Sequence, residues 1–441
     1  MGPELIAIVA LVALFVIGTL LPINMGALAY VAAWLVGMYA LDLDEKEILA
    51  GVSGDLILTL IGVTYLFAIA KNNGTVDLIV TTAVRAVGGR VALIPWVMFG
   101  VTALLTAIGA ASPAACAIIG PIALGFAGKY GISPLMMGMF VVHGAQGGGF
   151  SPISIYGTIT NSVMRENDLP VSELTVFLAS LVVNLVMAAI LFVALGGRRL
   201  MAQRVDPDED DTLAADLHAG GATVPARGYG VDAPTGTRAT GMRTDQLLTL
   251  LAFVGVAVVA LAFDKNIGFV AITAAVILAM LSANEHKGAV SQIAWPTVLL
   301  VAGVSTYATI LTTAGSPEYV GGWAAGLGAA AIGALILCYV GGVVSAFASS
   351  TALLPVIVPI AIPLIADGGI HPAMFIAALA ISSTIVDVSP FSTNGALMLA
   401  NRPDTVTEQA YYRQILTYSV VVVVVGPLLV WAALVLPGWG T

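Results

Sequence analysis

The stretch HGAQGGGFSPISIYGTITN, residues 143–161, decides how the chain folds. It sits between long runs of Leu, Val, Ala and Ile, where a regular apolar helix would be expected. Instead it gathers glycines, a proline, a glutamine and a histidine. Proline inside a helix removes a hydrogen bond and clashes with the preceding turn. Glycine weakens a helix further. The pattern predicts a helix that stops and restarts.

The surroundings are those of a membrane. Of 441 residues, 59% are hydrophobic and 9% charged, against about a quarter charged in soluble domains. Runs such as Leu5–Leu21, Leu56–Ala70 and Val420–Leu436 approach the length needed to cross about 30 Å of hydrocarbon. The first run carries Glu4 and no preceding Lys or Arg, so it reads as an uncleaved first span rather than a signal peptide. Cys116 and Cys338 lie in apolar runs, which fits neither a disulfide framework nor a metal site.

Ten spans are predicted, near 4–22, 24–41, 54–71, 134–163, 172–196, 246–263, 267–283, 295–313, 372–399 and 411–437. A polar linker, 198–244, separates two halves. With both termini outside, thirteen Lys and Arg fall on the cytoplasmic side. Only Lys46, Arg165 and Lys265 fall outside. This positive-inside bias predicts a multi-pass plasma-membrane protein (in a bacterium, the inner membrane) with a cytoplasmic linker.

The opening stretch has a partner. Residues 112–157 align without a gap on 350–395, a shift of 238, with fourteen identities that include Ser112/Ser350, Pro134/Pro372, Ser151/Ser389, Pro152/Pro390, Ser154/Ser392 and Gly157/Gly395. Biased composition alone gives about four. The expected domains are a first repeat, 1–197, and a second, 245–441. Each holds five spans, so the second is inverted relative to the first. Inverted repeats with paired helix breaks mark secondary transporters.

Four breaks follow. Two apolar stretches, 91–128 and 331–366, read as re-entrant hairpins with tips at Ile108–Pro113 and Ala348–Thr351. The broken helices are 134–163 and 372–399. Ser151-Pro152 and Ser389-Pro390 are expected to start the second half-helices, with serine as N-cap and proline as first helical residue. Four N-termini would then meet at mid-membrane and offer amides to an anion. None of the sixteen Lys and Arg lies in the interior of a span, Lys71 and Arg413 falling at span ends. Candidate substrate contacts are therefore Ser112, Pro113, Ser151, Ser154, Ser350, Thr351, Ser392, Thr393 and Asn394. Unwound carbonyls and side-chain oxygens could cage sodium. The candidates are Gln146, Gly148, Gly149, Ser112, Asp387, Ser349 and Ser389. His143 and Asp387 are ionisable at membrane depth and are candidates for coupling, to protons as the alternative to sodium. Asn24, Asp55 and Asn184 are expected to be structural.

Enzyme classes are not supported. Gly147–Gly149 follows no strand and precedes no Walker lysine. No catalytic set or metal cluster appears in a soluble region, and neither a resident cofactor nor a nucleic-acid partner is expected. A passive anion channel would want Arg or Lys along its pore. A cation/proton antiporter is a further alternative.

The runs GVTYLFAIAKNNGTVD (62–77), LIPWVMF (93–99) and HGAQGGGFSPISIYGTITN (143–161) resemble the malonate/dicarboxylate carrier family, MatC. The resemblance is closest over about the first 195 residues. It extends to the ion transporter superfamily that contains the divalent anion–sodium symporters. It implies an all-α, elevator-type fold with a dimerising scaffold. It also implies sodium-coupled uptake of a small dicarboxylate such as malonate. Those symporters carry Ser-Asn-Thr at both hairpin tips. Here the corresponding residues are Ala111-Ser112-Pro113 and Ser349-Ser350-Thr351, so the first tip lacks two of the three side chains.

Overall fold

The computed structural model describes residues 2–21, 23–85, 90–170, 172–203, 242–263, 265–282, 286–325, 330–346, 350–366 and 370–438. Ser349 and Ala348, and most of the predicted linker, lie outside them. The regular structure of the described residues is helical, without strands. The first half runs α1 (Pro3–Leu20), α2 (Met25–Ala40), α3 (Glu45–Ala50), α4 (Gly54–Asn72), α5 (Thr75–Arg85), α6 (Ile94–Ala107), α7 (Ser112–Tyr130), α8 (Pro134–Gly148), α9 (Ile155–Glu166), α10 (Glu173–Ala194) and the short α11 (Gly197–Leu200). The second runs α12 (Thr244–Phe263), α13 (Ile267–Leu281), α14 (Trp295–Thr313), α15 (Ser316–Ala325), α16 (Ala330–Ser345), α17 (Ser350–Ala366), α18 (Pro372–Thr384), α19 (Thr393–Ala400) and α20 (Glu408–Leu434).

Six of these helices are long and apolar enough to cross a membrane, and shorter apolar helices accompany them. Their outward faces keep Val, Leu and Ile exposed, as along α10 and α20, which suits lipid as the solvent. The helices recur at the predicted spacing. α7 and α17, α8 and α18, and α9 and α19 each start 238 residues apart. The tip between α6 and α7 is buried at Gly109 and Ala110. Four helices were not expected from the sequence: α3, α5, α11 and α15. They are 6, 11, 4 and 10 residues long, too short to register as spans.

Packing shows what the pattern could not, because the two halves exchange partners. α2 lies against α14, and α4 lies against α13. Glycine permits both approaches. A Cβ on Gly26 would sit 2.0 Å from the Leu299 carbonyl oxygen, and one on Gly303 would sit 2.0 Å from that of Gly26. The second contact repeats the device: a Cβ on Gly62 would lie 2.6 Å from the Gly268 carbonyl oxygen. Without a hydrophobic drive between helices in lipid, such close backbone contact is what holds them. The interrupted helices exchange too, with α9 against α17 and α7 against α19.

The exchange is incomplete. α17 packs on α14 and α15, and α9 packs on α4. The matching contacts of α7 with α4 and α5, and of α19 with α14, are slight or missing among the described residues.

The glycine contacts give a direct test. Gly303→Val forces side-chain atoms into the backbone of α2, and overpacking of this kind costs about 1–3 kcal/mol. The detergent-solubilised variant is expected to melt several degrees lower in a thiol-dye thermal assay. Gly125→Ala, which meets nothing within 4 Å, is expected to melt like the parent.

Candidate functional site

The site is built on the two links that interrupt the broken helices. α8 ends at Gly148 and α9 begins at Ile155. α18 ends at Thr384 and α19 begins at Thr393. The second half-helices therefore start later than Ser-Pro suggested. Ser154, not Ser151, caps α9 by accepting from the Gly157 amide at 3.3 Å. Ser392, not Ser389, caps α19 by accepting from the Gly395 amide at 3.2 Å. Pro152 and Pro390 lie within the links. Nothing in a link is helical, so its backbone needs other partners, and the cap must come where the chain has turned.

Both links close in the same way. The Ser154 hydroxyl also donates to the carbonyls of Gly149 and Ser151. The Ser392 hydroxyl is within 2.7 Å of those of Asp387 and Ser389. A Cβ on Gly157 would be 1.9 Å from the Ser151 carbonyl oxygen, and one on Gly395 would be 2.0 Å from that of Ser389. The backbone expected to cage sodium is thus engaged locally. The Gly149 carbonyl accepts from the Gly157 amide at 3.2 Å and the Gly148 carbonyl from the Ser151 amide at 3.1 Å. The Gln146 carbonyl accepts from the Ser180 hydroxyl at 3.2 Å. Ser151 donates to the Ala107 carbonyl, and Ser389 accepts from the Phe391 amide at 3.1 Å.

Side chains from both halves meet between the links. Asp387 Oδ2 accepts from Ser350 Oγ at 3.0 Å, Gln146 Nε2 at 3.2 Å and Tyr156 Oη at 3.5 Å. Ser350 also shares a 2.7 Å hydrogen bond with Ser345, and Thr351 follows Ser350 as the second residue of α17. Across the site, Asn394 Nδ2 donates to Ser112 Oγ at 2.8 Å. Ser112 is the first residue of α7. The N-cap ahead of it is Ala111, which makes no side-chain cap, so the backbone donors in the first turn of α7 lack the usual N-cap partner. Thr393 opens α19 between Ser392 and Asn394, and Pro113 takes the second helical position of α7.

Two amide oxygens in this cluster are buried without a hydrogen-bond partner among the described residues, Gln146 Oε1 and Asn394 Oδ1. Each belongs to a side chain whose nitrogen is already committed to the site. No Lys or Arg appears among the buried described residues, so Asp387, 8% exposed, has no fixed counter-charge there. It also follows the C-terminal end of α18, the negative end of that helix dipole.

His143 is placed elsewhere. Its Nδ1 is 2.8 Å from Asn184 Oδ1 and its Nε2 is 2.6 Å from the Tyr418 hydroxyl. Asn184 Nδ2 donates to the Ser180 carbonyl, so its oxygen faces the ring and His143 Nδ1 carries the proton. Tyr418 then donates to Nε2. Both ring nitrogens are used in binding α8 to α10 and α20, and neither reaches Asp387. Asn24 caps α2 and donates to the Pro296 carbonyl. Asp55 accepts from Ser162 and Asn266.

Tyr156 was missed from the sequence, because the repeat drew attention to identical positions and its counterpart in the second half is Asn394. α9 also carries unpartnered buried groups at Thr158, Thr160 and Asn161. Thr64, Thr102, Thr306 and Thr384 all return their hydroxyls to carbonyls four residues back. Thr158 and Thr160 do not, which marks α9 as polar by design rather than by accident.

The links give the second test. Gly157→Ala and Gly395→Ala are each expected to abolish substrate uptake into vesicles while the protein still reaches the membrane. Gly100→Ala, which meets nothing within 4 Å, is expected to leave uptake intact.

Comparison with known proteins agrees with this architecture. Residues 1–149 match the family described as the dicarboxylate carrier protein MatC N-terminus. Residues 258–439 match the citrate transporter family, CitMHS. No curated protein sequence matches the chain. Among solved structures, the YdaH transporter of Alcanivorax borkumensis superposes with a TM-score of 0.53 at 12% identity, over 100% of this chain and 99% of that one. Residues 1–149 are thus similar to the MatC dicarboxylate carriers and residues 258–439 to the citrate transporters, and the chain shares the fold of the YdaH transporter along its whole length.

Proposed function

We propose that the protein is a secondary active transporter that imports a small dicarboxylate, with malonate the first candidate, coupled to sodium. The carrying observation is the pair of buried amide oxygens, Gln146 Oε1 and Asn394 Oδ1, left without partners among the described residues beside Asp387 and Ser112. An orphaned acceptor in a water-poor interior costs about 1–3 kcal/mol. Oxygens of this kind around an unpaired carboxylate suit a hard monovalent cation. The first turn of α7, which lacks a side-chain cap, suits a substrate carboxylate together with the Ser112 hydroxyl.

The energetics favour more than one cation. A dianion entering against 100 mV meets a barrier of about 4.6 kcal/mol, two charges at about 2.3 each. Two sodium ions offset it, one at Gln146–Asp387 and one at Ser112–Asn394. Both matched families are named as carriers of carboxylates, which supports the substrate class. In this reading the chain sits in the plasma membrane with both termini outside and the linker inside. It forms a homodimer through the scaffold and moves its substrate by an elevator-like motion.

Proton coupling through Asp387 and His143 is the rival reading. The two hydrogen bonds that occupy both nitrogens of His143 weigh against it. Purified protein in liposomes separates the cases. An inward sodium gradient is expected to drive labelled malonate uptake at least tenfold above a potassium control, and Asp387→Asn to remove that stimulation. Uptake indifferent to sodium but driven by a pH gradient would overturn the sodium reading. Flux without accumulation would favour a channel.

A further inference from the structure

A cavity of about 550 Å³ opens where the chain enters α6 and leaves α10, well away from the two links. Its walls are Leu93, Trp96, Phe192, Leu200 and Met201, with Arg90 at its edge. The floor is fixed by aromatic packing. Trp96 meets Phe140 edge-on at 5.0 Å between centroids and Phe192 at 5.5 Å. The outer wall faces outward, with Met201 66% and Leu93 38% exposed.

Charge and depth say what such a groove would hold. Arg90 stands immediately before an apolar helix. Arg198 and Arg199 follow the 22-residue apolar α10, on the short α11 that packs against the turn at 91–93. All three mark the boundary between hydrocarbon and water, where tryptophan also settles. Among the described residues, no acid lies within ion-pair distance of any of them. A soluble anion would leave the apolar walls uncovered, and an uncharged lipid would leave the guanidinium groups unpaired.

We propose that this groove binds an anionic glycerophospholipid. Its phosphate meets Arg90, with Arg198 and Arg199 alongside, and one acyl chain lies along Leu93, Trp96 and Met201. Guanidinium pairs with phosphate in a two-pronged geometry that an ammonium cannot match, and basic pockets at membrane boundaries take anionic headgroups. The bound lipid would brace the root of α6, the arm that leads to the hairpin tip and Ser112. The inference does not depend on which solute is carried.

Tryptophan fluorescence of the full-length protein in phosphatidylcholine nanodiscs tests it. Brominated phosphatidylglycerol is expected to quench at least twofold more than brominated phosphatidylcholine at equal mole fraction. The surplus is expected to vanish in Trp96→Phe. It should fall at least twofold in the triple variant Arg90→Ala, Arg198→Ala, Arg199→Ala, and partly in Arg90→Gln, which keeps the wall intact if the triple variant fails to fold. Equal quenching by the two lipids, or a surplus that persists in Trp96→Phe, would overturn the proposal. So would loss of the surplus on adding soluble glycerol phosphate, which would make the groove a free-phosphate site.

Discussion

Every structural choice near the centre of this protein follows from one constraint. A helix interrupted inside hydrocarbon must find partners for the backbone groups it releases. Both links meet it with the same parts. A serine three residues beyond the first serine of the Ser-Pro-x-Ser motif caps the new helix and turns its hydroxyl back on the link's carbonyls. A glycine three residues later lets the helix lie almost on a link carbonyl. The link thereby becomes a rigid element rather than a loop, and the side chains on it hold fixed positions.

That economy decides which groups remain for a ligand. The carbonyls of Gly149, Ser151, Asp387 and Ser389 are taken up in closing the links, which leaves the side chains that the closure does not use as the candidates for binding. Gln146, Asp387, Ser350, Tyr156, Ser112 and Asn394 are those side chains, and they come from both halves. The halves are not equivalent here. Position 149 is glycine, whereas its counterpart 387 is aspartate. One link therefore carries a carboxylate against the negative end of a helix, while the other carries none. An approximately symmetric scaffold thus carries an asymmetric charge between its two links.

Much of this was legible in the sequence. Repeated Ser, Pro and Gly located both links and the first hairpin, because each of those residues marks a backbone need that few others meet. The same logic misplaced the helix starts. Ser-Pro is a strong local signal for a first turn, yet the chain needed several more residues to cap its carbonyls, and Ser154 and Ser392 did that work. α5 and α15 were missed because a helix of ten or eleven residues carries too little hydropathy to stand out. The exchange of α2 with α14 and α4 with α13 had no sequence signal beyond single glycines. Pairing in lipid depends on shape at a few backbone contacts, which apolar composition does not record.

The incomplete exchange bears on how such a molecule could move. α17 rests on α14 and α15, and α9 on α4, while the equivalent surfaces of α7 and α19 are largely free of those partners. Because the halves share helix order and spacing, a contact open to one copy is in principle open to its counterpart. A second arrangement, with α7 on α4 and α5 and α19 on α14, would trade one set of small-residue and aliphatic contacts for another of the same kind. Two packings built from like contacts differ little in free energy. A bound cation or carboxylate need supply only a modest difference to shift the balance between them. The scaffold contacts at Gly26–Gly303 and Gly62–Gly268 belong to neither set, so they can stay fixed while the links and hairpins change sides together.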